Sequence, residues 1–345
     1  MKQQKLVGAW LMLGVAMLMI QVLLGGITRL TGSGLSITEW KPLLGALPPA
    51  SETEWLSLFE KYKQIAQFKV LNTDFSLENF KFIFFWEWFH RNWARFIGIV
   101  FLIPFVWFLW KRMIRKEWVP GLIGLFTLGL AQGLIGWIMV ASGLNDENLY
   151  VSHIRLAIHF LSAMVLIAFT YSFGLSLWVN PEQRFINSPL RKLTLGILVL
   201  LGIQLLYGAF MAGLKAGSAA PTWPDQNGVF LPTSFDIESC FHAPLTIHFI
   251  HRNLAYGVSI LVIVWYLQAR RVQMSASFHS YRIIPLLLVI VQVCLGIFTV
   301  LRSQHPSRNA MGGFETLALL HQATAMGLVM SFVWALFMLR PVKSL

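Results

Sequence analysis

The sequence predicts an all-α membrane protein in which eight transmembrane helices form two tandem four-helix bundles, related by a pseudo-two-fold axis along the membrane normal. Three observations carry this. Of the 345 residues 56% are hydrophobic and only 12% are charged, about half the charged share of an average soluble chain. The apolar residues gather into eight runs, each close to the ~20 residues needed to cross a ~30 Å hydrocarbon core. The chain also repeats itself, with a single change of spacing. The same composition excludes disorder, collagen and a disulfide-rich secreted scaffold. Two cysteines, Cys240 and Cys294, cannot build a four-cysteine zinc site.

The spans fall at roughly 8–28, 93–110, 119–141, 154–178, 194–214, 247–268, 283–301 and 316–339. The first is too long for the apolar core of a signal peptide and has no evident cleavage site, so it reads as a helix. The gaps between spans sort into two sets. One comprises the N-terminus (Lys2, Lys5), Lys111–Lys116, Arg184–Lys192, Arg270–Arg282 and the tail (Arg340, Lys343). It holds 14 Lys and Arg against Glu117 and Glu182 alone. The other, with the long segments 29–92 and 215–246, holds 13 basic and 13 acidic residues. The whole net charge of +12 therefore lies on one face. That asymmetry puts both termini in the cytoplasm. Scattered over short loops, the basic residues form no patch for nucleic acid, and the expected partner surface is the lipid bilayer.

The first outer segment is expected to be structured. Ser51 and Glu54 fit a capping box, and Trp55, Leu58, Phe59, Tyr62 and Ile65 follow at helical spacing. That stripe fits a short helix lying in the membrane interface or an ordinary amphipathic packing helix.

Gln21, Gly25, Gly34 and Trp40 recur as Gln204, Gly208, Gly217 and Trp223, an offset of 183. His90-Arg91-Asn92 recurs 161 residues later as His251-Arg252-Asn253, Gln132 and Gly136 recur 160 later as Gln292 and Gly296, and His159 recurs 162 later as His321. The spans thus divide into an N-terminal half, 1–190, and a C-terminal half, 191–345. Four spans per half is an even number, so both halves enter and leave on the same side and are parallel, not inverted.

Ionisable side chains near membrane spans are costly and mark function. His90, His159, His251 and His321 occupy the matched positions, on the second and fourth helices of each half near their outer ends. Two imidazoles facing each other across a four-helix bundle suit a planar iron macrocycle with axial histidines. Zinc needs further ligands, and none stands at the right positions. The candidate metal ligands, for haem iron, are therefore His90, His159, His251 and His321. Haem carries two propionates, and Arg91 and Arg252 directly follow the first histidine of each pair, with Arg95 and Arg155 near the same level. Each arginine either meets a propionate or snorkels to lipid headgroups.

The repeat also breaks in informative places. Glu87 matches His248, and His153 matches Glu315. Glu87 lies one turn outward from His90 on the same helical face, and only the N-terminal half has a carboxylate there. A reactive carboxylate marks a substrate half; the alternative is a simple pairing of Glu87 with Arg91 or Arg95. His153, His242, His248 and His305 are expected to be solvated or to support the site from outside it. His279 lies in a cytoplasmic loop, and Cys240 and Cys294 are not placed to form a structural disulfide.

These residues resemble the haem A synthase family. The resemblance rests on the two four-helix repeats, the E-x-x-H-R motif Glu87-Trp88-Phe89-His90-Arg91 and the second His-Arg at 251–252. It rests also on the Thr31-Gly-Ser-Gly-Leu-Ser-Ile-Thr-Glu-Trp40 segment, the histidines opening the fourth and eighth helices, and Gln322-Ala323 after His321. The resemblance implies oxidation of the C8 methyl of haem O to a formyl group by successive hydroxylations, through a geminal diol that loses water. It implies a permanent haem b held by His251 and His321 with Arg252, substrate haem O flanked by His90 and His159 with Arg91, and Glu87 as the catalytic carboxylate. Haem O synthase and an electron donor are the implied protein partners, and assembly into a homo-oligomer is left open. The implied location is a bacterial inner membrane, multi-pass, with the haem sites near the periplasmic side. Members from Gram-positive bacteria carry a cysteine pair in the first outer loop, and this chain has none there. It is similar to the cysteine-free branch of Gram-negative bacteria and mitochondria.

Two other readings fit parts of the pattern. One is a membrane b-type cytochrome for quinol-linked electron transfer. The other is a transporter, which parallel repeats allow, although here the ionisable groups cluster at the outer edge and not at the membrane centre.

Overall fold

The computed structural model describes residues 2–39, 44–232, 235–272, 275–308 and 310–340. Trp40 of the repeat and Lys343 of the basic tail lie outside the described residues. In chain order the helices are α1 (Lys2–Leu30), α2 (Glu52–Tyr62), α3 (Ala66–Leu71), α4 (Leu77–Trp110), α5 (Val119–Ala141), α6 (His153–Trp178), α7 (Ser188–Gly213), α8 (Ile237–His242), α9 (Pro244–Ala269), α10 (Ala276–Tyr281), α11 (Ile284–Arg302) and α12 (Gly313–Met338). Among the described residues, eight helices are long and apolar enough to cross a membrane, namely α1, α4, α5, α6, α7, α9, α11 and α12. The described residues form no strand, only an isolated antiparallel bridge between Gln226 and Val229. The all-α expectation holds, span by span.

One boundary differs. The second span was expected from residue 93, yet α4 runs 34 residues from Leu77. Glu87, His90 and Arg91 interrupt the apolar run in the sequence, but the aromatic-rich segment Phe80–Trp88 continues the helix outward. Ser76 caps it, accepting a hydrogen bond from Asn79 N at 3.3 Å. The long loop after α1 therefore ends at Ser76 and not at residue 92, and the charged residues sit inside a helix.

The outer turns of α4 are sheltered by α2 and α3. Ser51 accepts from Glu54 N at 3.2 Å, while Glu54 Oε2 accepts from Ala50 N at 2.8 Å, so the capping box is shifted by one residue. Of the apolar stripe, Phe59 and Tyr62 are buried, Phe59 stacks on Phe80 (centroids 5.1 Å apart) and Trp55 meets Phe84 edge-on at 4.9 Å. The stripe is a packing face against α4, the second of the two readings. Ile65 falls beyond α2, as the N-cap of α3. The Tyr62 hydroxyl accepts from Asn72 at 2.7 Å and donates to Gln67 at 3.0 Å. Burial pushes its pKa up to about 12, against the Asn72 hydrogen bond and with a small push from the negative charge of Glu87.

Helix pairs matched by the repeat pack alike: α1 with α4 and α7 with α9, α1 with α6 and α7 with α12, α5 with α6 and α11 with α12. The largest shared core includes Met164 and Ile167 of α6, Ile197 and Leu201 of α7, Val262 and Trp265 of α9, and Phe332 and Ala335 of α12. Within it the Trp265 indole donates to Thr194 Oγ1 at 2.8 Å, which satisfies a polar group far from water. The outside of the bundle is apolar. Ile99, Ile103 and Val106 on α4 and Leu130 and Leu134 on α5 are exposed, a surface that hydrocarbon tolerates and water does not.

Candidate functional site

The four repeat-matched histidines meet one recurring arrangement. Each lies against a helix that carries a glutamine and, four residues later, a glycine. A methyl group on Gly25 of α1 would come within 3.1 Å of His90 Cε1 on α4. For Gly136 of α5 and His159 of α6 the distance is 3.0 Å, for Gly208 of α7 and His251 of α9 it is 3.3 Å, and for Gly296 of α11 and His321 of α12 it is 3.0 Å. A larger residue at any of the four would press on the ring and make it give by a few tenths of an ångström, so glycine lets each imidazole seat closely. One turn deeper, Gln21 Nε2 lies 3.3 Å from His90 Nε2, Gln204 Nε2 3.2 Å from His251 Nδ1, and Gln292 Nε2 3.2 Å from His321 Nε2. Gln132 holds the matching place before Gly136. Two matched helix pairs thus build each half.

His251 and His321 converge. Their ring centroids are 6.4 Å apart with planes inclined at 71°. Two imidazoles bound to opposite sides of one iron need a centroid separation of roughly 6 Å, from an iron–nitrogen bond of about 2 Å and about 1 Å more to each ring centre. The donor set and the spacing fit an iron macrocycle. His90 and His159 also lie within electrostatic reach of each other.

Immediately outward, the halves diverge in chemistry but not in plan. In the first half Glu87 is buried and accepts three hydrogen bonds among the described residues: Ser36 Oγ at 2.8 Å, Ile37 N at 2.8 Å and Arg91 Nη2 at 2.6 Å. Arg91 also donates to Ile37 O at 3.2 Å and Glu39 O at 3.5 Å. In the second half the matched pair is His248 and Arg252, with Nε2 and Nη2 3.1 Å apart. Arg252 donates to Thr222 O at 3.0 Å, Pro224 O at 2.9 Å and Asp225 O at 2.7 Å. Both arginines thus clamp the loop that follows the first helix of their half. Those loops share a turn as well. Gly32 and its match Lys215 both adopt positive φ, 68° and 52°, a region open to glycine and costly for lysine. The Thr31–Ile37 segment, tied by a 2.6 Å contact between Thr31 and Ser33 hydroxyls, brings Ser36 onto Glu87.

The remaining candidates separate. His248 is buried on α9 with its Nε2 beside Arg252, so it is not solvated, and of the two expectations only that of a residue supporting the site from outside remains. Glu315, the match of His153, serves as a helix cap, accepting from Ser307 N at 2.8 Å and Gly312 N at 3.1 Å. His153 meets Phe241 O at 2.9 Å and the His242 ring edge-on at 5.2 Å, so it joins the two halves. His242 and His305 are exposed, and His279 contacts Arg282. Arg95 donates to Asn92 at 2.6 Å and Arg155 to Ile138 O at 2.9 Å. A cavity of about 700 Å³ at the loop-bearing end holds Arg155, Lys215, Tyr150 and His153. Both cysteines are free, as expected. Missed from the sequence were the arginine clamps, the pairing of His90, His251 and His321 with a glutamine and the seating of all four histidines on a glycine. The signal for the second was present, since Gln-x-x-x-Gly occurs within each half twice, at 21–25, 132–136, 204–208 and 292–296.

Known proteins match this chain over most of its length. Residues 8–333 match the COX15-CtaA family, described as cytochrome oxidase assembly protein. The heme A synthase of Rhodospirillum centenum is 40% identical over 99% of this chain and 90% of its own length. That of Rhodopseudomonas palustris is 41% identical over 92% and 84%, and that of Flavobacterium johnsoniae is 36% identical over 97% and 98%. With the match spanning nearly every helix, the chain belongs to the COX15-CtaA family of cytochrome oxidase assembly proteins.

Proposed function

We propose that this protein is a haem A synthase, a membrane oxidoreductase that converts the C8 methyl of haem O to a formyl group. The observation that carries the reading is the set of four glycine-backed imidazoles, two pairs in two matched halves, in a chain about 40% identical to heme A synthases. The halves, 1–190 and 191–345, are two bundles about an axis along the membrane normal. In support, Arg29 Nη1 donates to Ala212 O at 3.2 Å. These positions are matched at the 183 offset, and matched positions can touch only near the axis that relates them.

In the second half His251 and His321 would hold a resident haem b, and in the first His90 and His159 would flank haem O. Haem b, when bound, would move electrons one at a time. Glu87 is the reactive carboxylate. It accepts three of the about four hydrogen bonds that a carboxylate can take, which fixes its orientation and leaves one lone pair to receive a proton from the substrate methyl or its hydroxylated form. Its negative charge, aimed by Arg91, Ser36 and the Ile37 amide, also offsets positive charge that builds on the substrate during oxidation. Arg91 and Arg252 remain within a turn of the histidines, and they neutralise propionates in competition with the loop carbonyls that they now clamp. The bundle shelters this chemistry from water, near the periplasmic side of a bacterial inner membrane with both termini cytoplasmic. Haem O synthase and an electron donor complete the set of partners.

The test is co-expression with haem O synthase followed by extraction of the haems. Haem A together with hydroxylated haem is the expected yield. A b-type spectrum with haem O left unconverted would instead describe the electron-transfer cytochrome.

A further inference from the structure

The cavity of about 700 Å³ at the loop-bearing end is built by both halves and lined by cations. The first half supplies Tyr150 from the loop before α6, with His153 and Arg155 from the first turn of that helix. The second half supplies Lys215, just beyond α7. Among the described residues that line it, none is acidic. Its volume is that of a small-molecule site.

The two cations have N–H bonds to spare. Arg155 Nη1 donates to Ile138 O at 2.9 Å, and Lys215 Nζ donates to the Tyr150 hydroxyl at 2.6 Å. Among the described residues neither meets a carboxylate. The Tyr150 oxygen accepts from Lys215, so its own proton is left to donate. Arg155 and Lys215 are both exposed, so an anion that enters displaces water alone. Arg252, by contrast, spends its four terminal N–H bonds on Thr222 O, Pro224 O, Asp225 O and His248.

The repeat indicates which half the cavity serves. Arg155 matches Leu317 at the 162 offset, and Lys215 matches Gly32 at 183. The bilayer touches both halves alike, so an anchor for lipid headgroups has no reason to be confined to one place. Arg155 stands four residues before His159, on the same helical face and about 6 Å further out. Lys215 holds its position at a φ of 52°, a conformation that is free for glycine at the matched turn and costly for lysine.

We propose that this cavity receives the anionic edge of the substrate, with Arg155, Lys215 and the Tyr150 hydroxyl binding the propionate carboxylates of haem O. The assignment rests on the reading that haem O occupies the first half. It makes the second half part of the substrate site, through Lys215.

The test is spectral titration of the full-length protein, purified with its haem b, with haem O and with haem O dimethyl ester, whose carboxylates are blocked. The variants are Arg155→Gln, Lys215→Gly and the two combined. Glycine suits the backbone at 215, and haem b content checks the fold of each variant. Loss of one hydrogen bond between a cation and a carboxylate is expected to weaken haem O binding roughly tenfold in each single variant. The ester is expected to bind wild type more weakly than haem O does, and to bind the variants as it binds wild type. If Arg155→Gln loses haem b, Lys215→Gly decides alone. The proposal is overturned if haem O binds the variants as tightly as wild type, or if ester binding falls as far as haem O binding, the mark of a structural role. Unaltered haem O binding with loss of a co-purified phospholipid, read by native mass spectrometry, would assign the cavity to a lipid headgroup and overturn it too. Failure of the underlying reading looks different: His159→Ala would then bind haem O as wild type does.

Discussion

Arg91 holds Glu87 at 2.6 Å, and at the matched place in the other half Arg252 stands 3.1 Å from His248. The two arginines keep their i, i+4 geometry and their grip on the preceding loop, while the partner changes from a carboxylate to an imidazole. Scaffold is repeated here and chemistry is not. A carboxylate occurs in the first half alone at this matched position.

That contrast makes Glu87→Gln the sharpest substitution. Shape and most hydrogen bonds are kept, and the charge is lost. Formyl production in cells supplied with haem O is expected to fall by about 10²–10⁴-fold, the usual span for a positioned acid–base group, with bound haem b unchanged. Chromatography of extracted haems beside the reduced-minus-oxidised spectrum measures both.

The histidines should divide in the same way. His251→Ala and His321→Ala are expected to strip haem b from the purified protein. His90→Ala and His159→Ala are expected to leave it bound while conversion of haem O stops. Haem content per mole of protein reports the first effect, and product analysis the second.

Crowding the rings from behind gives a test that leaves every ligand in place. Gly296→Val would set a carbon within 3.0 Å of His321 Cε1. Overpacking costs about 1–3 kcal/mol, which corresponds to roughly 5- to 150-fold weaker haem retention. Gly136→Val, equally close to His159, is expected to spare haem b and impair substrate turnover. Spectral titration of the apoprotein with haem separates the two.

The outer loops of the halves are tied by Asp74 and Arg308, whose guanidinium meets both carboxylate oxygens, at 2.5 and 2.8 Å. The Arg308 hydrogen bond holds the Asp74 carboxyl below its usual range. A depressed folded value means that the tie is at full strength above the ordinary aspartate pKa of about 3.9 and fades as pH falls through the lower folded value. The protection of the amides in segment 71–75, taken relative to their intrinsic exchange rates, is expected to fall below about pH 4 in wild type. In Asp74→Asn that protection is expected to be low already at neutral pH and to change little with acidification.

Much of this was readable beforehand, for physical reasons. Eight apolar runs and a one-sided charge distribution follow from the bilayer itself, and the matched histidines stand out because imidazoles are rare among such residues. The start of α4 was not readable, since Glu87, His90 and Arg91 lower the local hydropathy of a segment whose aromatic faces are covered by α2. The glutamine and glycine partners were visible as repeats but not as partners, because each lies on a different helix from its histidine. Which of its two expectations His248 would meet, and any role for Glu315, stayed open for a related reason. Burial by a neighbouring loop, and capping of a helix that begins at Gly313, are set by three-dimensional neighbours.

Helix α1 has two tenants. Gly25 faces His90, and the next residue, Gly26, takes the side chain of Gln322, which follows His321 and donates to Val22 O at 3.0 Å across the junction of the halves. Helix α1 is therefore gripped from two directions at this level, by the His90 ring at Gly25 and by the Gln322 side chain at Gly26. A side chain larger than hydrogen at Gly26 would have to displace the Gln322 amide, so the seating of α12 on α1 depends on that glycine.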